Sequence, residues 1–132
     1  MSRRAFADSN VLLYTLSPEA KAAVARTALA RSHVLSVQVL NEFANVVRRK
    51  KLLSPAEVRE IELQLRQTLE IMPITLDLHE SALDVSERYG FSFYDSLIVA
   101  SALQSGCDTL YTEDLQHGQL IDKQLQVVNP FA

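Results

Sequence analysis

The chain has 132 residues, 48% hydrophobic and 22% charged, enough apolar material for one core and too little length for a second, so a single domain over residues 1–132 is expected. Its one cysteine, Cys107, excludes an internal disulfide or a cysteine-based zinc cluster and suits a reducing cytoplasm. The net charge of −3 hides a division: residues 1–66 carry 11 Lys and Arg against 6 Asp and Glu, residues 67–132 carry 2 against 10, so a polyanion could approach the second half only if cations neutralised some of its acids.

The start, "MSRRAFADSN", has two arginines, but Asp8, Ser9 and Asn10 interrupt what would be the apolar core of a secretion signal. The longest nearly apolar run, "SLIVASAL", is too short to span a bilayer, so no membrane association is expected. "RRAFADS" reads as a first strand closed by an acid and turn-formers. "SPEAKAAVARTALARS" reads as a helix with Ser17 as N-cap and Pro18 at the first helical position. After a strand in "HVLSV", "VQVLNEFANVVRRKK" places Val39, Leu40, Phe43, Val46 and Val47 at helical spacing. "SPAEVREIELQLRQTLEI" repeats the Ser-Pro start and adds Glu57 three residues after Ser54, a capping box. Next come a strand in "MPITL", a helix in "DLHESALDVSERYG" ended by Gly90, and a helix in "YDSLIVASALQSG" opened by Asp95 and ended by Gly106. "DTLYT" and "LQVVN" complete the strands. Strands alternating with helices imply the α/β class, a central parallel sheet with helices on both faces.

In such a sheet, sites form outside the carboxyl ends of the strands. Asp8 closes the first strand and Asp114 lies just beyond "DTLYT"; Asp95 opens the helix before that strand, and Glu42 lies beside Val39 and Val46 at the margin of an apolar stripe. Each acid alone has an ordinary explanation as a turn residue, cap or helix-former. Gathered at one partly buried rim they would repel one another, and protonation or a cation must relieve them. Mg²⁺ or Mn²⁺ suits an all-oxygen ligand set. A carboxylate-held cation suits phosphodiester hydrolysis, because it neutralises phosphate oxygens, assists attack by water and stabilises the departing alkoxide. Ser9, Asn10 and Thr112 flank the acids and could hydrogen-bond them, or could equally serve as turn residues.

Four segments in order, "FADSNVLLY", "SVQVLNEFANVV", "FYDSLIVASAL" and "LYTEDLQHG", resemble the PIN-domain family, and among its members the ribonuclease toxins of VapBC-type toxin-antitoxin pairs. The resemblance implies a three-layer α/β/α fold and a Mg²⁺- or Mn²⁺-dependent endoribonuclease in which Asp8, Glu42, Asp95 and Asp114 hold the cation. It also implies a homodimer, an RNA substrate and a cognate antitoxin laid over an apolar helix surface. Two departures stand out: Ser9 replaces the Thr common after the first Asp, and Leu115 to Gly118 supply no further acid. On this reading Phe91, Phe93 and Tyr94 screen the site around Asp95.

Arg48, Arg49, Lys50 and Lys51 could follow RNA phosphates or complement a helix C-terminus, and Arg3, Arg4, Arg26 and Arg31 could extend that patch. His33, His79 and His117 are scattered without ligand spacing, and the three glycines form no nucleotide-binding fingerprint. A non-catalytic RNA-binding or partner-binding domain is the alternative from another class. A phospho-receiver domain is disfavoured, because "DSN" lacks a paired acid and Lys123 is the only lysine after residue 51.

Overall fold

In the computed structural model, which describes residues 3–132, six strands form one sheet. In chain order the elements are β1 (Ala5–Ala7), α1 (Ser9–Tyr14), α2 (Lys21–Ala30), β2 (Val34–Ser36), α3 (Val37–Arg49), α4 (Pro55–Thr68), β3 (Glu70–Met72), α5 (Leu76–Tyr89), α6 (Phe93–Gln104), β4 (Thr109–Tyr111), β5 (Leu120–Ile121) and β6 (Leu125–Val128). The strand order is β3-β2-β1-β4-β6-β5, parallel throughout except for β5 against β6.

The chain steps outward from β1 through β2 to β3, then returns past β1 to β4. Right-handed crossovers therefore put α1 to α4 on one face and α5 with α6 on the other. Phe6, Val34, Leu35, Leu110 and Val127 supply the sheet's share of the core, and Val39, Phe43 and Val47 of α3 close on it. Helix α6 is buried without interruption from Ser96 to Ala102, as an all-apolar run requires. Its two buried serines return their hydroxyls to the backbone, Ser96 to Ser92 O and Ser101 to Leu97 O, both at 2.8 Å. Because strand order reverses between β1 and β4, the crevice beyond their carboxyl ends is the natural place for a ligand.

The α/β reading holds, with four local differences. Helix α2 starts at Lys21, not at Pro18, and its N-cap Ala20 offers no side-chain bond. Ser54 starts α4 as predicted because Glu57 completes the capping box. The residue three after Ser17 is Ala20, which cannot return that bond. The third strand is Glu70–Met72 rather than "MPITL", paired in register with Val34, Leu35 and Ser36; Pro73 has no N–H to extend the ladder. Two elements went unpredicted: the six-residue α1 directly after Asp8, and the two-residue β5. Finally, Ser92, not Asp95, caps α6; its hydroxyl accepts from the Asp95 N–H at 3.2 Å.

Candidate active site

The rim is built by the last pairing of β1 with β4. Asp8 N donates to Tyr111 O at 3.0 Å, and Thr112 N donates to Val128 O at 3.1 Å, so Asp8 and Thr112 leave the sheet side by side. Asp8 also caps α1, its Oδ1 accepting from Ser9 N at 2.7 Å, while Oδ2 accepts the Thr112 hydroxyl at 2.8 Å. The single Thr112 proton goes to Asp8, so Thr112 Oγ1 acts only as acceptor toward Asn10 Nδ2 and Asp114 N, each at 3.1 Å. The same Asn10 amide nitrogen donates to Asp114 Oδ2 at 3.2 Å. Asn10 and Thr112 thus tie Asp8 to Asp114, a supporting role predicted for them alongside Ser9; buried Ser9 contributes its backbone N–H.

Glu42 projects from α3 between the buried Val39, Phe43 and Val47, half-buried, with Oε1 shut away from solvent and without a hydrogen-bond partner. Asp95 stands in the first turn of α6, where the helix dipole favours a negative charge. Helix α3 packs against α6, and the charges of Asp8 and Asp95 both bear on Glu42 while that of Asp95 bears on Asp8. Burial pushes Asp8 up to about 6, reinforced by the charges of Asp114 and Asp95. Burial likewise raises Glu42 to about 7, with Asp8, Asp95 and Asp114 adding to the effect. Asp114 is raised by desolvation first and by Asp95 second, with Asn10 opposing. No basic side chain contributes to any of these three shifts.

The four predicted acids therefore share one electrostatic neighbourhood, but as an open ring. Among the described residues no three acidic, imidazole or thiol groups converge tightly enough to enclose an ion as they stand. An open ring of hard oxygens fits Mg²⁺ or Mn²⁺, since Mg²⁺ keeps several waters and is held through one or two carboxylates plus substrate phosphates. The orphaned Glu42 oxygen is a second indication that the ring lacks a positive partner.

The remaining predicted residues divide. Lys50 lines a cavity together with Asn10 and Glu113, next to the acids. Arg48 instead lines a groove between α3 and α4 with Leu53, Pro55 and Val58, and borders Arg49 and Asn45 on another side. Lys51 is exposed at positive φ, so the four cations do not share one face. Arg4 forms an ion pair with Glu70 and donates to Ser105 O at 2.7 Å, a structural tie across the sheet rather than an extension of that patch. His117 Nδ1 accepts from Asn129 N at 2.9 Å. Phe91 stacks on Tyr89, while Phe93 packs on His79 and edge-on against Tyr94, which is itself 61% exposed, so Phe93 and Tyr94 pair and Phe91 turns to a different ring. Glu113, which carries no signal in the sequence beyond its adjacency to Asp114, accepts the Tyr14 hydroxyl at 2.8 Å.

A PIN-domain family model matches residues 5–121. The chain belongs to the PIN-domain family. Members of this family that are nucleases generally use divalent metal ions. Three solved structures are similar in fold. VapC20 of Mycobacterium tuberculosis, described as a Sarcin-Ricin loop cleaving toxin, is 22% identical, with a TM-score of 0.68 over 83% of this chain and 89% of that one. A toxin-antitoxin complex from Klebsiella pneumoniae gives 21% identity and a TM-score of 0.72, covering 96% and 97%. VapBC2 of Rickettsia felis, bound to a promoter DNA fragment, gives 18% and 0.64, covering 93% and 96%. No curated protein matches this PIN domain in sequence. Among the described residues no helix is long and apolar enough to cross a membrane.

Proposed function

We propose that this PIN domain is a Mg²⁺- or Mn²⁺-dependent endoribonuclease and the toxin of a type II toxin-antitoxin pair. The observation that carries the reading is the ring of Asp8, Glu42, Asp95 and Asp114, three of them raised by burial and mutual repulsion without a cationic side chain to relieve them. These four acids would hold the cation, which would supply charge neutralisation at the phosphodiester and polarise the attacking water. The protein's own part is positional. The Thr112 hydroxyl and Ser9 N–H fix both oxygens of Asp8, Asn10 orients Asp114, and the buried α6 holds Asp95 against the rim. Lys50, at the edge of the neighbouring cavity, is placed to contact RNA; no protein nucleophile is required.

The toxin reading draws on the similar toxins and toxin-antitoxin complexes. The groove between α3 and α4, walled by Leu53, Pro55 and Val58 and edged by Arg48 and Arg59, suits an antitoxin segment with apolar and acidic residues. A single domain acting as a homodimer in the cytoplasm completes this proposal.

The test is cleavage of a mixed cellular RNA pool by antitoxin-free protein in Mg²⁺, in Mn²⁺ and in chelator, with Asp95→Asn alongside. Discrete products that vanish with chelator and with a folded Asp95→Asn protein are expected. The open spacing of the acids favours one alternative, a domain that binds RNA without cutting it. RNA binding with no cleavage in either metal would select that alternative.

A further inference from the structure

Beside the acid ring lies a cavity of about 300 Å³ that the proposed chemistry leaves unused. Its apolar wall is Leu13, Val46 and Leu52, and Tyr14 adds an aromatic face. That ring is held in place by its neighbours: the Phe131 ring centroid is 4.5 Å away and the Lys21 ammonium lies 4.8 Å over it. The polar lining consists of Asn10, Glu113 and Lys50. Glu113 Oε1 accepts the Tyr14 hydroxyl, which orients the carboxylate and leaves Oε2 as an acceptor. Asn10 is 8% exposed; its nitrogen is committed to Thr112 and Asp114, and its Oδ1 is buried without a partner. The cavity thus offers the two-oxygen Glu113 carboxylate and one cationic donor around an apolar slot, with the unpartnered Asn10 oxygen closed off behind its wall.

We propose that this cavity is a nucleobase pocket selective for guanine, set beside the phosphodiester that the acid ring would cut. The proposal rests on the nuclease reading for its biological use, but its chemistry is independent. Guanine is the one RNA base whose pairing edge carries two neighbouring donors, N1–H and N2–H₂, followed by an acceptor, O6. The two donors match the Glu113 carboxylate, whose Oε2 is free and whose Oε1 keeps a second lone pair beside the Tyr14 hydroxyl, and O6 matches the Lys50 ammonium. Adenine and cytosine each bring one donor group on that edge, and uracil brings one N–H between two acceptors, so each leaves an acceptor of the cavity unanswered. Tyr14 supplies the stacking face that any base would use, and the carboxylate and lysine supply the discrimination. Asn10 connects the pocket to the site, because the same side chain holds Asp114.

The experiment is an NMR titration of the full-length, antitoxin-free, isotope-labelled protein in chelator with the four ribonucleoside monophosphates at millimolar concentrations, repeated on Glu113→Gln and Lys50→Ala. Guanosine monophosphate is expected to bind about tenfold or more tightly than the other three, with shifts centred on Asn10, Tyr14 and Glu113. Glu113→Gln keeps an oxygen for Tyr14 but presents an amide where the guanine donors arrive, and should reduce the preference to within about twofold. No binding, equal binding of all four, or a guanine preference that survives Glu113→Gln in the folded variant would each overturn the assignment. Guanine-selective binding by a protein that cuts no RNA would uphold the pocket and defeat the nuclease reading alone.

Discussion

Asp8 and Asp122 are aspartates treated in opposite ways by one fold. Asp122 lies in the tight turn between β5 and β6 at φ 51°, a conformation Asp tolerates better than most residues. The Arg88 guanidinium pairs with it, the Tyr89 hydroxyl lies 2.8 Å from Oδ1, and its own N–H returns to that hydroxyl at 2.8 Å. The Arg88 hydrogen bond holds the Asp122 carboxyl below its usual range. Asp8 is 4% exposed, has neutral donors only, and is raised to about 6. A carboxylate recruited for structure is given its counter-charge within the chain. One left buried among other acids is poised to take its counter-charge from a ligand, and this difference separates a hairpin clamp from the proposed metal site.

The comparison is broken most directly by activity. Asp8→Asn should lower RNA cleavage by roughly a thousandfold or more, the scale of losing several kcal/mol of charge stabilisation, while Asp122→Asn leaves it within about twofold. Products quantified by gel under single-turnover conditions check both; comparable losses in the two variants would erase the distinction.

Stability provides the next contrast, with the sign reversed. A carboxyl whose folded pKa is raised binds its proton more tightly in the folded state. Between the ordinary pKa of 3.8 and the folded value of about 6 for Asp8, and between 4.5 and about 7 for Glu42, the folded state therefore holds more protons and stability falls as pH rises. For Asp8 this amounts to about 3 kcal/mol lost by neutral pH. Metal-free wild type should melt at a lower temperature at pH 7.5 than at pH 5, and Asp8→Asn should flatten much of that slope and raise the midpoint at pH 7.5. A wild-type midpoint that climbs over this interval would mean the acids are already compensated.

The elements themselves show how far such contrasts could be read in advance. The four acids were legible because each sits at a grammatical position: the end of a strand, the start of a helix, the margin of an apolar stripe. What could not be read was their joinery. Asn10 and Thr112 lie 102 positions apart and meet only because β1 pairs with β4. Helix α1 is too short to display a 3.6-residue period, so "DSN" looked like a turn and not like a cap with its first turn. Asp95 looked like a cap because Asp is favoured there, and Ser92, equally favoured, held the position. The third strand was displaced because "MPITL" is more apolar than "EIM", although the ladder needs the N–H that Pro73 lacks. The basic run was visible as charge, but a helix end and a loop distribute its members over different faces.

A divalent cation should act on one region only. At pH 7.5, Mg²⁺ or Mn²⁺ at about a hundred times its dissociation constant stabilises a protein that binds it solely when folded by about 2.7 kcal/mol. Because its ligands must be deprotonated, the gain should grow from pH 5.5 to 7.5 as Asp8 and Glu42 lose their protons. Calorimetric melting of wild type, Asp8→Asn and Asp122→Asn should show the gain in wild type and Asp122→Asn and its loss in Asp8→Asn. A gain of equal size in all three would place the ion elsewhere.

The smallest effect belongs to the clamp. Asn at position 122 keeps compatibility with positive φ and a side-chain oxygen for Tyr89, but loses the charge that Arg88 meets. That pair is largely open to solvent, where screening and side-chain entropy leave an ion pair only a small net contribution. Asp122→Asn should therefore lower stability slightly, and added salt should shrink the deficit, because it weakens the pair in wild type. Denaturation with urea at low and high ionic strength measures both. A large, salt-independent loss would show that the turn geometry, not the charge, needs an acid there, and the electrostatic contrast with Asp8 would then rest on the rim alone.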